Sequence, residues 1–520
     1  MNIIHGDCLE ELKKLDDNSI DAVVCDPPYG LSNTKPQQVA DVLKAWVTGD
    51  TVSVPAKRGG FMGKDWDSFV PPPAVWEECM RVLKPGGHMA VFAGARTQDL
   101  MGLSIRLAGF EIRDTLGWVY GSGMPKSLDV SKAIDKARRE DTEPVKAVAA
   151  ALRAALDASG KTRKEIDAHF GTANVSQYWF SPHRNSQVPP VDKWPWLRDF
   201  LGIDSSLDAE VWRLNGRKGT PGEAWERREV VGVKRVNGAE GSAGGFANGI
   251  ASQRGLATGE REIDITAPAT SEAQRWDGWG TALKPAQEPI ILARKPLDGT
   301  VANNVLAYGV GGLNIDACRV PSDEITGWGG AGAGGGTWNS ENMGLGKDGD
   351  ARPVQGRFPA NVLLDEHAAK EMDKQSGWQK DGTAVNRNRN HGGDKNNAVY
   401  NGGWKIEPED VTYGNGGGAS RFFPVFKYQA KAPKRERPVI EREDGSKIQH
   451  PTVKPLALLE WLVELITPPN GVVLDPFAGS GTTLQAALNK GFTPIGIEQD
   501  ADYIKLIEKR LEAACTTHKN

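Results

Sequence analysis

The sequence predicts an α/β protein built on a doubly wound sheet, and three observations carry that prediction. Short apolar runs alternate with helical patterns at both ends of the chain. Two of those runs end in an acid followed by a turn sequence: Asp26-Pro27-Pro28-Tyr29 near the start, and Asp475 leading into Gly479-Ser480-Gly481 near the end. The C-terminal segment supplies two strands, whereas a mononucleotide-binding half of a doubly wound sheet needs another beside them. The N-terminal run "NIIHGD" is the expected donor, so the two chain ends are expected to form one domain.

In chain order, "NIIHGD" leads into a helix over about Cys8–Leu15 and a strand over Ile20–Cys25 that stops at Asp26. "FVPPPAVWEECMRVLKPGGHMAVFAG" reads as helix, Pro-Gly-Gly turn and strand (Met89–Phe92), and "GFEIRDTLGWVYGSG" as a further strand pair. These make up the first part of the sheet domain, 1–131. From about Lys132 the pattern turns helical, with Pro144–Ser159, Thr162–Phe170, roughly Ala173–Trp179 and Asp192–Leu201. That pattern predicts an inserted helical domain over 132–204, followed by a linker over 205–275. Sheet-like sequence returns at "KPAQEPIILARKP", so 276–320 is expected to continue the sheet. The Gly- and Asn-rich stretch Gly327–Gly418 is too polar and irregular for a core, and 321–420 is read as loops with target recognition as their expected role. The remainder, 421–520, gives strand (Val472–Leu474), helix (about Thr482–Asn489), strand (Pro494–Glu498) and helix (about Ala501–Ala513).

At 520 residues the chain exceeds one typical core, and about 100–200 residues per domain predicts two to four units. The net charge of -4 carries no global basic signature, so a polyanionic partner must be met by a local patch. Five cysteines, Cys8, Cys25, Cys79, Cys318 and Cys515, form no CxxC pair, which argues against a disulfide framework and a zinc site; no metal is expected. The start "MNIIHGDCLEELKKL" lacks a basic region followed by an apolar one, and no window approaches eighteen apolar residues. A cytoplasmic protein with no membrane partner is the expectation. The 61 glycines exceed the ~7% average usage and concentrate between Gly238 and Gly418, where long loops are expected.

In "VLDPFAGSGTT" a strand runs into Asp475 and then into Gly479-Ser480-Gly481 at a helix start, where small residues permit a tight turn and close backbone approach to a ligand. Glu498 ends the next strand nineteen residues after Gly479, where an acid can accept hydrogen bonds from ribose hydroxyls. Thr483 and Leu484 stand where a third glycine of GxGxxG would lie, which disfavours a dinucleotide. An adenosyl cofactor without a pyrophosphate fits better than a dinucleotide; a lone Gly-Ser-Gly would equally be a plain strand-helix turn.

Asp26 closes a strand at the edge where open α/β sheets bind ligands. Its carboxylate and the Pro27 carbonyl offer two acceptors to an exocyclic amine, the prolines stiffen the loop, and Tyr29 presents a flat face for stacking. Accepting those bonds frees the nitrogen lone pair to attack a methyl sulfonium in line, without a separate strong base. An isolated DPPY is equally a proline-rich turn with a capping Asp; the cofactor motif in the same chain favours the chemical reading.

On these motifs the chain resembles an amino-group DNA methyltransferase of the permuted, beta-type order and of the adenine-N6 (DPPY) kind. Asp26-Pro27-Pro28-Tyr29 matches the catalytic DPPY, "HPTVKP" (His450–Pro455) the segment before the cofactor strand, and "DPFAGSGTT" (Asp475–Thr483) the S-adenosyl-L-methionine loop. "FMGKDWDSF", "WVYGSGMPKS" and "GWGTALKPAQEPIILARKP" further resemble phage and prophage members. The resemblance covers about Met1–Ser131, Trp276–Pro296 and the end from about Arg421. It implies a circularly permuted, Rossmann-like sheet with S-adenosyl-L-methionine as cofactor. It further implies that Asp7 contacts the adenine, Glu498 the ribose, and Thr452 and Lys454 the methionine end, with Asp475, Phe477, Gly479, Ser480 and Gly481 lining the loop. His450 is read as structural.

The implied partner is double-stranded DNA, and hence a nucleoid location, with the target base flipped out of the stack. "KYQAKAPKRER" (Lys427–Arg437) sets Lys427, Lys431, Lys434, Arg435 and Arg437 in a basic cluster suited to phosphates, or in a solvated loop. "KTRKEIDAHFGTANVSQYWF" (Lys161–Phe180) resembles a helix-turn-helix whose second helix, bearing Asn174, Ser176 and Gln177, would enter the major groove. A packing or dimerisation module is the other reading of that insert, with eight Lys/Arg against five Asp/Glu over Val145–Ile203. A cytosine-N4 enzyme shares the layout but more often carries Ser where Asp26 stands; an RNA methyltransferase and a DNA-binding regulator are further readings. A homodimer and a paired restriction enzyme are compatible with the resemblance and are not written in the residues.

Overall fold

The computed structural model describes residues 2–32, 34–55, 67–121, 123, 127–172, 174–183, 186–237, 260–327, 353–380, 383–384, 411–412, 416–426, 437–442 and 444–517. They divide into two compact units, Met1–Gly123 with Pro285–Asn520, and Met124–Lys284.

The first unit is organised by a nine-stranded sheet. Its strands are β1 (Asn2–His5), β2 (Ile20–Cys25), β3 (Leu83–Phe92), β4 (Glu111–Val119), β5 (Gln287–Arg294), β6 (Val362–Asp365), β7 (Val425–Phe426), β8 (Val472–Asp475) and β9 (Thr493–Glu498). Their spatial order is β1-β9-β8-β2-β3-β5-β4-β6-β7. The two ends of the chain meet here: β1 pairs with β9 from Asn2↔Ile495 to His5↔Glu498, and β2 pairs with β8. Neighbours run parallel except at β5, which is antiparallel to both β3 and β4. The amino end of β5 therefore lies at the edge where the parallel strands have their carboxyl ends.

Every residue of β2 is buried, as expected of a strand covered on both faces, and the period-2 alternation divides it between two cores. Val23 and Cys25 join Trp76, Met89 and Ile105 on one side; Ala22 and Val24 join Phe92, Leu292, Leu458 and Leu462 on the other. The polar exception, Asp21, is paired: it accepts Lys84 Nζ and the backbone N–H of Val472, each at 2.7 Å. That pairing ties β2 to the start of β8.

Three expectations differ from the structure. Glu111–Val119 is a single strand whose partner is β5 and not a strand immediately following it. Residues 205–275, read as a linker, carry helices Asp208–Gly216 and Ser271–Arg275 and the strand pair Val230–Asn237 with Glu260–Thr266, because Val211 and Leu214 supply apolar surface to a core. Within 321–420, the short run Val362–Asp365 joins the sheet beside β4 and leads into helix Glu366–Ser376.

The second unit packs its helices around Leu152, Ile166, Trp179, Trp194, Leu197, Val211 and Leu214. A buried pair, Arg228 with Asp135 at 2.5 Å, joins its beginning to its end; Asp135 also accepts the Thr270 hydroxyl at 2.7 Å and the Ala269 N–H at 2.9 Å. Those bonds outweigh burial and hold the Asp135 carboxyl below its ordinary pKa. In chain order this unit follows β4 and precedes β5, whose ends pair at Val119↔Gln287. It thus occupies the position of a hairpin loop. Among the described residues no helix is long and apolar enough to cross a membrane, and no group of three or more His, Cys, Asp or Glu is placed to hold a metal ion.

Candidate active site

Four adjacent parallel strands, β1, β9, β8 and β2, end in or just before an acid: Asp7, Glu498, Asp475 and Asp26. Their carboxyl ends open onto a cleft of about 980 Å³ lined by all four acids. This is the position where open α/β sheets hold ligands.

The glycine turn after β8 forms one wall. Gly479 and Gly481 have φ of +52° and +76°, a region that side-chain-bearing residues rarely adopt. Space is also closed to a side chain at both positions. A Cβ on Gly479 would lie 3.0 Å from His450 Nε2, and one on Gly481 would lie 3.0 Å from Ile507 Cγ2. Glu498 accepts the Gly479 N–H with Oε2 and the Asp500 N–H with Oε1, both at 2.8 Å. The acid therefore clamps the turn as well as lining the cleft, and burial raises its pKa despite those donors. From helix Ala501–Thr517, Arg510 donates to the Ser480 carbonyl at 2.7 Å and to Gln485 at 2.9 Å. Sequence reasoning did not single out Arg510.

Asp475 is almost fully buried and accepts the Phe477 N–H at 3.0 Å. Burial pushes its carboxyl up to about 7, against the opposing hydrogen bonds from Thr483 and Phe477. Phe477 packs on Trp76 with ring centroids 6.0 Å apart. Asp7 caps helix Cys8–Leu12, accepting N–H groups of Leu9 and Glu10 at 3.0 and 3.3 Å. Thr452 lines the cleft and donates its N–H to His450 Nδ1 at 3.3 Å. The His450 ring packs on Tyr503 at 4.7 Å, and burial lowers its pKa, so it is neutral at pH 7.

Asp26-Pro27-Pro28-Tyr29 forms the opposite wall. Asp67 Oδ1 accepts the N–H groups of Tyr29 and Gly30 at 2.7 and 3.0 Å, Gly30 turns at φ +66°, and Thr97 donates to the Tyr29 carbonyl at 2.6 Å. The loop is thus fixed by side chains from two other segments.

Lys454 stands at the centre of the site. Its ammonium lies 3.1 Å from Asp26 Oδ1, 2.9 Å from Glu288 Oε2 and 2.8 Å from the Tyr29 hydroxyl, over the rings of Tyr29 and Phe92 at 5.1 and 4.9 Å. Burial alone would lower its pKa, but the two carboxylates prevail and hold the ammonium above its ordinary value. The same burial, with Asp26 and Glu288 adding to it, pushes the Tyr29 phenol well up. Lys454, expected near the methionine end of a cofactor, meets the DPPY loop itself. Glu288 and Asp67 were not foreseen. Both lie inside motifs singled out in the sequence, but nothing local marks either acid, since each acts on residues hundreds or tens of positions away.

Of the expected DNA contacts, Asn174 and Gln177 are exposed in the second unit on either side of the buried Ser176. Ser176 is committed to Asp167, donating its N–H at 2.9 Å and its hydroxyl at 2.7 Å. The helix they belong to, Ser176–Trp179, is four residues long, shorter than the groove-entering helix expected. Arg437 is half-buried; Lys427, Lys431, Lys434 and Arg435 lie outside the described residues.

The profile of a DNA methylase family of the N6/N4 type matches residues 20–196 and 271–509. Among curated proteins, the putative methylase YubD of Escherichia coli (strain K12) is 52% identical over 64 residues, 12% of this chain and 28% of that protein. DNA adenine methyltransferase YhdJ of the same organism is 48% identical over 65 residues, 12% of this chain and 22% of that protein. The chain thus spans about a quarter of the length of these relatives. A DNA modification methylase of Thermus thermophilus, solved with S-adenosyl-L-methionine, is 13% identical, with 99% of this chain and 96% of that chain covered, at a TM-score of 0.31, too low to carry an argument.

Proposed function

The chain belongs to the N6/N4 DNA methylase family, and from that premise we propose that it transfers a methyl group from S-adenosyl-L-methionine to the exocyclic N6 of an adenine flipped out of double-stranded DNA. The observation that carries this reading is the shared cleft: Asp26 and the Gly479–Gly481 turn open onto the same space from adjacent strands, β2 and β8.

The residues fit the cofactor. The turn has no room for side chains at Gly479 and Gly481, and the carboxylate of Glu498 retains acceptor capacity beyond its two backbone donors, since each oxygen has two lone pairs. Asp7, Thr452, Asp475, Phe477 and Ser480 complete the cofactor wall. When bound, S-adenosyl-L-methionine supplies an electrophilic methyl on a sulfonium.

Asp26 and the Pro27 carbonyl accept the two N–H groups of the target amine, which draws the nitrogen towards tetrahedral geometry and turns its lone pair to the methyl. Asp26 then takes up the proton the nitrogen releases and passes it to solvent. Tyr29, fixed by Asp67 and Thr97, offers its ring to the base. Asp26 rather than Ser at the first position favours adenine. The order of motifs supports the permuted, beta-type, phage-like assignment, and Asn174, Gln177 and the basic residues Lys427, Lys431, Lys434, Arg435 and Arg437 are assigned to DNA.

The test is nucleoside mass spectrometry of duplex DNA treated with protein and labelled donor. N6-methyladenine is the expected product; N4-methylcytosine as the sole new base would overturn the substrate, and no label in DNA would overturn the reaction.

A further inference from the structure

The Asp26 carboxylate does not stand alone. Lys454 bridges it to Glu288, so two carboxylates share one ammonium inside a largely enclosed site; the Lys454 side chain is 13% exposed. An ammonium held only by Asp26 would neutralise the charge facing the target amine and compete for the very oxygens that must accept its N–H groups. It would also oppose the positive charge that builds on nitrogen as the methyl arrives, an effect that is strong where water is excluded.

We propose that Glu288 is a positioning residue: it holds the Lys454 ammonium away from sole possession of Asp26, leaving a net negative charge and a free acceptor for the incoming amine. This rests on the methyl-transfer reading above. Glu288 can reach the site because β5 is antiparallel to β3 and β4, which puts Gln287 and Glu288 at the edge where β2 ends. The Tyr29 hydroxyl bridges the same pair, receiving from Lys454 at 2.8 Å and donating to Glu288 at 3.3 Å.

The charge count provides the test. In the wild type, Asp26, Glu288 and Lys454 sum to one negative charge; Glu288→Gln brings the sum to zero; Glu288→Gln with Lys454→Met restores it. Single-turnover methylation of duplex DNA and S-adenosyl-L-methionine affinity by calorimetry are measured for all three. Glu288→Gln is expected to slow transfer at least tenfold while changing donor affinity less than twofold, and adding Lys454→Met is expected to recover at least fivefold. A merely structural role for Glu288 would not be rescued by removing a second side chain. Transfer at the wild-type rate in Glu288→Gln, loss of donor binding in that variant, or a double variant no faster than the single one each overturns the inference. A wild type that labels no DNA fails the methyl-transfer reading instead.

Discussion

Glu498 Oε2 accepts the backbone N–H of Gly479 at 2.8 Å, so the acid that ends β9 fixes the turn that follows β8. One carboxylate thereby shapes the cofactor wall and lines it. Glu498→Ala is expected to weaken S-adenosyl-L-methionine binding by roughly 1–3 kcal/mol, the scale of leaving buried donors unpaired. Calorimetric titration checks this; unchanged affinity would refute the placement.

Gly479→Ala strains the same turn from the other side. An L-residue at φ +52° costs about 1–2 kcal/mol, and the new Cβ meets His450 Nε2 at 3.0 Å. Reduced donor affinity together with a lower melting temperature is expected. Thermal denaturation with and without donor reads both, and a variant matching the wild type in each would show that the turn tolerates a side chain.

The buried Asp475 makes stability depend on pH. Burial raises its carboxyl from 3.8 to about 7, so between those values the native state holds a proton that the unfolded chain has lost. Stability therefore falls as pH rises through that window and levels off above it. His88, lowered by burial from 6.5 to about 4, acts in the opposite direction, adding stability as pH rises from about 4 to 6.5. Comparing wild type with Asp475→Asn isolates the aspartate: the variant should lose stability less steeply between pH 4 and 7. Parallel melting curves across that range would exclude a protonated Asp475.

Asp26→Ala removes an acceptor for the amine while leaving every backbone donor of the glycine turn in place. Methyl transfer should fall below detection with donor affinity nearly intact. Full transfer activity would remove Asp26 from the mechanism.

The second unit is expected to serve DNA rather than the donor, since every donor-site residue proposed lies in the first unit. Because Val119 and Gln287 already pair, Met124–Lys284 can be replaced by a short glycine linker without parting β4 from β5. The shortened protein should bind S-adenosyl-L-methionine and lose DNA affinity or site preference. Methylation of unchanged pattern and rate would assign the unit to another task. Excising only the helical stretch would be a poorer test, as Val211 and Leu214 share a core with Leu152 and Trp194.

Much of the site's donor wall was legible in the residues because it is local. A strand that ends in Asp475, a turn that demands glycine at Gly479 and Gly481, and an acid one strand later all follow from backbone geometry over some two dozen positions. The same holds for β2, whose unbroken apolar run forecast burial on both faces and an Asp26 standing at the strand's end. The reach of the fold across the whole chain was legible too, since two C-terminal strands needed a neighbour and only the N-terminal run offered one.

What tertiary structure decided is the company those residues keep. Lys454, Asp26, Glu288 and Tyr29 converge on one ammonium from three distant segments, and Asp67 pins the DPPY loop from a fourth. No periodicity announces such a meeting. It depends on strand order and direction, above all on β5 running against β3 and β4, which brings the start of one strand to the end of another. Apolar pattern determines which residues are buried and where strands stop; the pairing of strands in space determines which charges must then share the enclosed volume, and with it the balance of charge that Asp26 presents.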